Sequence, residues 1–446
     1  MDGDGSPALP VTATSRGHYG FDGLNQSPVL SGDRGTAVRE ALDHCRALLS
    51  DRGKSPGNSL APSVLAIYSS LDGVARTAFF DGLIERFSID QSALQRAAQT
   101  YVHNPNDDTV RALQQAGEPP RRELFLRLSA APGAAAWLVR MREHLDDRPA
   151  WATIESDLLH VLRLLFNRAV LDFQQIDLET PSSVLARLIE TEAVHPVNDW
   201  REMGRRLDAD RRCYGFFHAA WPQEPLIFTE VALTRGITSS IEPILDPDAE
   251  VVDPRTCDTA MFYSISNCQP GLRGFAFGNL LLSRAIEQLR TEMPWLRRFA
   301  TISPIPGFRS WLGRAAGLLR PRAAIRAWLS NDQSSASIPD ELQGELLVLC
   351  AHYLLRVKEG SEPADPVARF HLGNGARLHR LNSSSDLTPA GIRRSAGLTV
   401  NYVYELNELE RNAETYGRSR AVHAAREVAR LARLAAPLLS NPSLVA

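Results

Sequence analysis

Residues 259–289 read TAMFYSISNCQPGLRGFAFGNLLLSRAIEQL. The first ten, Thr259 to Cys268, are rich in aromatic and β-branched residues and predict a strand. The next stretch carries Gly271, Gly274 and Gly278 and predicts a loop. Leu280 onward, LLLSRAIEQLRTEM, predicts a helix. A strand that runs through a glycine-rich loop into a helix brings backbone amides and the positive helix end close together, which suits a phosphate or pyrophosphate. The spacing is not Walker A, which needs Gly-Lys-Ser/Thr, and it is not G-x-G-x-x-G. The glycines alone serve a structural turn equally well. Arg273 inside the loop favours the anion.

Working outward, the surroundings repeat the strand–helix alternation. RRCYGFFHAAWPQEPLIFTEVALT predicts strands over 213–220 and 226–233, with Pro222 to Pro225 as the turn between them. RRFATIS predicts a fourth strand, stopped by Pro304 and Pro306. ELQGELLVLCAHYLLRV predicts a helix, and LTVNYVYEL a further strand. RSRAVHAAREVARLARLAAPLL predicts a last helix. Interleaved strands and helices imply an α/β or α+β domain over 167–446.

The chain before that domain differs in kind. Residues 36–166 follow helical periodicity throughout. In TAFFDGLIERFSID, Phe79, Phe80, Leu83, Ile84 and Phe87 fall on one face, and Asp90 predicts the N-cap of the next helix. This block is expected to be a helical bundle used for assembly, without a catalytic constellation. Residues 1–35 are rich in Gly, Ser, Pro and Asp and are expected to form a flexible leader.

Composition narrows the function. The chain has 446 residues, long for a single core, and this predicts two domains. Hydrophobic residues make up 44% and the formal net charge is −3, so no basic balance points to nucleic acid. No apolar run reaches a membrane span. The N-terminus has no secretory pattern and the last residues are no peroxisomal address, so a cytoplasmic location is expected. The five cysteines are scattered and never form C-x-x-C, which argues against a zinc site or a disulfide framework.

Two polar residues stand out as candidate chemistry. Ser303 in FATISPIPGF ends a strand in a stiff setting, because Pro304 and Pro306 fix the backbone after it. A strand-end serine is ordinarily a cap or turn residue, yet a stiff setting is what a catalytic hydroxyl needs. G-x-S-x-G is absent, which argues against a hydrolase nucleophile. His371 in FHLGNGARLHRLN is read as a loop residue before a Gly-x-Gly turn, with nothing obliging it to be buried. Its ordinary pKa suits a general acid or base at neutral pH. His160 and His423 are expected on helices, and His218 and His379 in strands. His195, before a proline, is the rival.

Several of these stretches in their order resemble the malonyl-CoA decarboxylase family: VHPVNDWREMGRRLDADRRCYGFFHAAWPQEPLIFTEVALT, MFYSISNCQPGLRGFAFGN, ISPIPGF and FHLGNGARLHRLN…SAGLTVNYVYEL. FFDGL in the helical block resembles the same family's N-terminal part. The resemblance implies an all-α oligomerisation domain and an α+β catalytic domain of the acetyltransferase (GNAT) type, with the coenzyme A pyrophosphate on the glycine loop. It implies Ser303 and His371 as the catalytic pair, with His371 expected to protonate the thioester enolate and Ser303 to orient His371 or the leaving carboxylate, or to relay or accept a proton. It implies Ser264 and the loop Arg273, Gly274, Phe275, Ala276, Phe277, Gly278 and Asn279 as substrate contacts. The implied reaction converts malonyl-CoA to acetyl-CoA and CO2 without metal or organic cofactor, in a homotetramer. Animal members carry an acidic residue where this chain has Ala276, a position that is small in bacterial relatives and so not disabling; the usual tryptophan after RLN is Ser383 here, which implies a changed pocket shape or rate. An acyl-CoA-dependent acyltransferase and a non-catalytic malonyl-CoA sensor are the alternatives.

Overall fold

A computed structural model describes residues 32–55, 59–145, 148–315, 323–330 and 338–439. Among them, the stretch from Gly32 to Leu165 contains helices and turns and no strand. The apolar face expected in Gly73–Phe87 is the face that packs: Phe79, Phe80, Leu83 and Phe87 are buried, while Ile84 packs at the edge of the core. The Tyr68 ring meets Phe79 and Phe80 edge-on at 5.2 and 6.0 Å. Each such burial contributes roughly 1.5–3 kcal/mol. Asp90 caps Gln91–His103 by accepting the Ala93 amide at 3.0 Å. The first helix, Gly32–Leu49, begins inside the stretch read as a leader, and residues 1–31 lie outside the described residues.

The rest of the chain is built on a seven-stranded mixed sheet. Its strands in chain order are β1 (Leu171–Ile176), β2 (Arg211–His218), β3 (Ile227–Thr234), β4 (Thr259–Asn267), β5 (Arg298–Thr301), β8 (Arg377–Asn382) and β9 (Thr399–Val403), while β6 (Lys358–Glu359) and β7 (Glu362–Pro363) form a separate small hairpin. The spatial order is β1-β2-β3-β4-β5-β9-β8, antiparallel except for β4 with β5. Side chains alternate across the sheet. Tyr214 and Phe216 of β2 join the main core, and Cys213 and Phe217 face the opposite layer, where Val184, Leu185 and Leu188 of helix Ser182–Thr191 cover them. All five cysteines are buried and unpaired.

One break in the sheet creates the site. The β4–β5 ladder runs only from Thr259–Arg298 to Phe262–Thr301. Beyond it β4 continues to Asn267, and the other chain turns away: Ser303 exchanges two backbone hydrogen bonds with Val400 of the β9 side, each 2.9 Å. A parallel pair that parts in this way leaves a cleft between its strand ends.

Two expectations fail here. β1 lies outside the strands expected from sequence, because exposed Asp172, Gln174 and Gln175 interrupt the apolar pattern of this edge strand. The last helix predicted over 418–439 is an α-helix only over Arg426–Arg433, apart from the two residues that end the preceding helix. Helix Leu409–Ser419 ends at left-handed Arg420 (φ 53°), and helix Arg426–Arg433 begins after an extended run. In that run the His423 carbonyl accepts the Leu378 amide at 2.9 Å and Ala424 bridges Leu378, so His423 is not helical. The open edge of β8 needs partners for its backbone, and that demand outweighs local helix propensity.

Candidate active site

Ser303 is held rigidly. Its backbone is tied to Val400, Pro304 and Pro306 restrict the segment after it, and the Ile305 amide donates to Ser395 Oγ at 2.8 Å. The hydroxyl is buried, donates to Thr301 Oγ1 at 2.8 Å and lies 3.2 Å from His371 Nε2. Two residues separated by 68 positions thus meet.

His371 differs from its sequence reading. It occupies the last turn of helix Pro366–Gly373, not a loop, and it is buried. Asp365 starts that helix by accepting the Ala368 amide at 2.8 Å, with Pro366 at the first position. Gly375 (φ 79°) ends it; a Cβ there would stand 2.2 Å from the Leu409 carbonyl oxygen. The imidazole stacks on Tyr402 at 4.7 Å, and its Nδ1 is 2.6 Å from the Tyr404 hydroxyl. Burial pushes its pKa down to about 3, so the ring is neutral at pH 7. Burial holds the Tyr404 phenol well above its ordinary value. A phenol that keeps its proton donates to Nδ1. That assigns the ring proton to Nε2, facing Ser303.

Ser303 and His371 line a cavity of about 460 Å³ between the parted strands, together with Ser264 and Ser266 of β4. The sequence reading missed its carboxylate, Glu192, at the end of helix Ser182–Thr191. Ser264 Oγ lies 2.8 and 2.7 Å from the two Glu192 oxygens, and Ser266 Oγ donates to the second at 3.0 Å. The Val194 and His195 amides each donate to Oε1 at 2.8 Å. The β3–β4 register shifts here: Glu230 faces Ser264, Val231 faces Phe262, and Tyr263 is left over as a bulge, which re-aims the side chains beyond it. Behind that wall, burial raises the Glu230 carboxyl to about 7 although Arg206 donates to it at 2.8 Å. His195, the rival histidine, is buried at a pKa of about 3 and does not line the cavity.

The glycines of the loop differ in their surroundings. Gly271 abuts the helical domain, where an added Cβ would lie 2.1 Å from the Val139 carbonyl oxygen. Arg142 of helix Ala134–Glu143 donates to the carbonyls of Gly271 and Arg273 at 2.8 and 2.7 Å. Gly274 takes a positive φ of 89°. Ala276 precedes helix Phe277–Glu292, whose N-terminus has no side-chain cap. Phe277 and Gly278 are buried in that helix. Asn279 accepts a hydrogen bond from Asn374 at 3.0 Å, which ties the loop helix to the end of the His371 helix. None of Arg273 to Asn279 lines the cavity itself; the loop meets it through Pro270. Ser383 does not line it either.

Two family models match the chain: the malonyl-CoA decarboxylase N-terminal domain over residues 87–166 and the malonyl-CoA decarboxylase C-terminal domain over residues 169–441. The mitochondrial malonyl-CoA decarboxylase of the goose Anser anser anser is 31% identical over 447 residues, covering 88% of this chain and 88% of its own. The rat (Rattus norvegicus) mitochondrial enzyme is 31% identical over 428 residues, covering 85% of this chain and 86% of its own. Among solved structures, malonyl-CoA decarboxylase from Agrobacterium vitis has a TM-score of 0.83 at 39% identity, covering 88% of this chain and 99% of that one. The Rhodopseudomonas palustris structure has a TM-score of 0.82 at 40% identity, with the same coverage.

Proposed function

The chain belongs to the malonyl-CoA decarboxylase family, whose members are carboxy-lyases, and from that premise we propose how its own residues carry the reaction. In malonyl-CoA the carboxylate is β to a thioester carbonyl. Loss of CO2 breaks one C–C bond and pushes its electron pair onto the thioester, which gives an enolate. The thioester is its own electron sink, so the reading requires no metal or organic cofactor. A C–H bond then forms at the carbanion carbon, and one proton is consumed overall.

The observation that carries the proposal is the Ser303 hydroxyl 3.2 Å from His371 Nε2 on the wall of a cavity. With substrate in place the Ser303 hydroxyl turns from Thr301 Oγ1, a neutral acceptor, to the carbanion carbon and passes its proton there, and the Nε2 proton of His371 replaces it. A carbanion is a stronger base than serinate or imidazolate, so a neutral pair suffices as donor. Water restores the pair's proton after product release. Tyr404 holds the tautomer that makes the relay possible. The Ser264 proton lies on Glu192, so Ser264 meets the substrate as an acceptor or as a shaped wall, not as the donor to the enolate oxygen.

Coenzyme A is proposed to bind on the loop Arg273–Asn279, in a sheet domain of acetyltransferase type. Arg273 is exposed, Gly274 turns the backbone through a left-handed position, and helix Phe277–Glu292 starts without a side-chain cap, its positive end toward the loop. Assembly through the helical domain is supported by helix Gln91–His103, which has no buried residue and leaves Val102 75% exposed. Light scattering tests the homotetramer; a monomer at micromolar concentration contradicts it.

The deciding experiment incubates the purified protein with malonyl-CoA alone and reads the thioesters by mass spectrometry. Acetyl-CoA is expected with no second substrate. A requirement for an amine acceptor, with release of free coenzyme A, would replace the decarboxylase reading with acyl transfer. Binding of malonyl-CoA without turnover would replace it with a sensor.

A further inference from the structure

We propose that Arg394 binds the free carboxylate of the acyl group and so selects a β-carboxylated thioester over its decarboxylated product; this rests on the decarboxylase reading of the cavity. Arg394 lies in the last turn of helix Pro389–Ser395 and lines the same cavity as Ser303 and His371. The next residue, Ser395, accepts the Ile305 amide at 2.8 Å, so the end of this helix is fixed to the segment that carries Ser303. From there the guanidinium reaches the Glu192 turn, where Nη1 donates to the carbonyls of Ala193 and Val194 at 3.2 and 3.4 Å. The hydrogen bonds of Arg394 among the described residues use Nη1 alone, and Nε and Nη2 complete the planar fork that matches a carboxylate.

The charges around the cavity single this residue out. Arg187, the other arginine on the wall, is paired with Glu190 at 3.0 Å and Glu224 at 3.2 Å. The Glu192 oxygens are occupied by two serine hydroxyls and two amides. Arg394 forms no ion pair with a carboxylate among the described residues. Burial lowers its pKa from the ordinary arginine value, yet a guanidinium stays charged. A half-buried cation that faces main-chain carbonyls, and feels the Asp386 and Glu192 carboxylates without a direct ion pair to either, gains from an anion that reaches its fork, through charge-assisted hydrogen bonds.

The chemistry says where this contact acts. The carboxylate carries full charge before the reaction and loses it as CO2 departs. A cation bound to it therefore stabilises the ground state at least as much as the transition state, which lowers KM and does not raise kcat. The product has no carboxylate and is not held. The acyl carboxylate and the coenzyme A phosphates are both anions, and the comparison of malonyl-CoA with acetyl-CoA separates them.

The test measures malonyl-CoA kinetics and acetyl-CoA inhibition for wild type, Arg394→Gln and Arg394→Lys, with melting temperatures to follow folding. In wild type the acetyl-CoA Ki is expected to exceed the malonyl-CoA KM at least about tenfold. Arg394→Gln should raise KM roughly 10- to 100-fold, the range for a charged hydrogen bond. Its kcat should stay within about threefold and its acetyl-CoA Ki should not move. Arg394→Lys should recover part of the loss. Equal weakening of both thioesters would assign Arg394 to coenzyme A phosphates, and a fall in kcat at constant KM would assign it to the enolate; either overturns the proposal. If wild type does not decarboxylate, the functional reading fails, and calorimetry of both thioesters with wild type and Arg394→Gln still decides the carboxylate contact. If Arg394→Gln does not fold, the wild-type ratio and the lysine variant decide it: equal affinities in wild type overturn the proposal.

Discussion

The two regions that flank the cavity are fixed by opposite means. The loop Gly271–Asn279 is held from outside the sheet domain: Arg142 grips two of its carbonyls, Glu143 accepts the Gly271 amide at 3.1 Å, and Val139 leaves no room for a side chain at Gly271. The corner made by Thr301–Pro306 and helix Pro366–Gly373 is held from within, by Val400, Ser395, Tyr402 and Tyr404. The difference separates two tasks. On the proposed reading the corner does the chemistry. The loop is tied to helix Ala134–Glu143, so, if it holds the thioester as proposed, binding is the step through which the helical domain reaches the site.

The largest effects should come from breaking the corner. Ser303→Ala or His371→Ala is expected to lower kcat by roughly 10²- to 10⁴-fold, the range for a lost general acid, while acetyl-CoA affinity measured by calorimetry stays the same. Weakened acetyl-CoA binding with normal turnover would reverse the roles of corner and loop. Tyr404→Phe keeps the ring and removes the hydrogen bond that holds the His371 tautomer. A kcat loss of about tenfold at constant KM is expected, consistent with a lost hydrogen bond to a buried partner.

Smaller effects should come from the loop. Arg142→Ala removes two hydrogen bonds to the loop and an ion pair with Glu155 at 3.0 Å, each charged hydrogen bond worth about 1.5–3 kcal/mol. It should lower Tm and raise KM while kcat holds; a kcat loss as large as that of Ser303→Ala would erase the distinction between the two regions. The smallest expected effect is an absence. The folded pKa of His371 is depressed to about 3, so the ring is already neutral across pH 5–8. The kcat/KM profile should carry no inflection near 6.5 from this histidine, and an inflection there that His371→Gln removes would contradict the neutral donor. The same depression has a sign for stability. The unfolded ring binds a proton near pH 6.5, and the native ring does so near pH 3, so this group's contribution is complete above pH 6.5 and is lost as pH falls towards 3. His195 acts in the same direction.

Parts of this arrangement are legible from residue order and parts are not, for physical reasons. Strand β4, the glycine loop and helix Phe277–Glu292 announce themselves because their signals are local: β-branched runs, glycines, an amphipathic helix. Pro304 and Pro306 mark Ser303 for the same reason. The residue type of His371 marks it as a candidate, while its setting is hidden. Asp365-Pro366 is a helix start that the Gly-x-Gly turn after it obscures, and burial comes from Tyr402, a strand residue. Glu192 and Arg394 carry no local pattern. Their meeting spans 201 positions between Arg394 and the Ala193 carbonyl, and only the folded sheet brings them to one cavity. Gly271 shows the converse limit: a glycine read for its freedom near a ligand is there because a neighbouring helix leaves no space.

The central claim is that Ser303 and His371 act as one unit on one proton. Single-turnover rates of acetyl-CoA formation from malonyl-CoA, measured for wild type, Ser303→Ala, His371→Ala and the double variant, test it directly. Residues that act as a unit lose their effect together. The double variant should therefore be no slower than the worse single variant, within about threefold. Losses that multiply would mean that the hydroxyl and the imidazole serve separate steps.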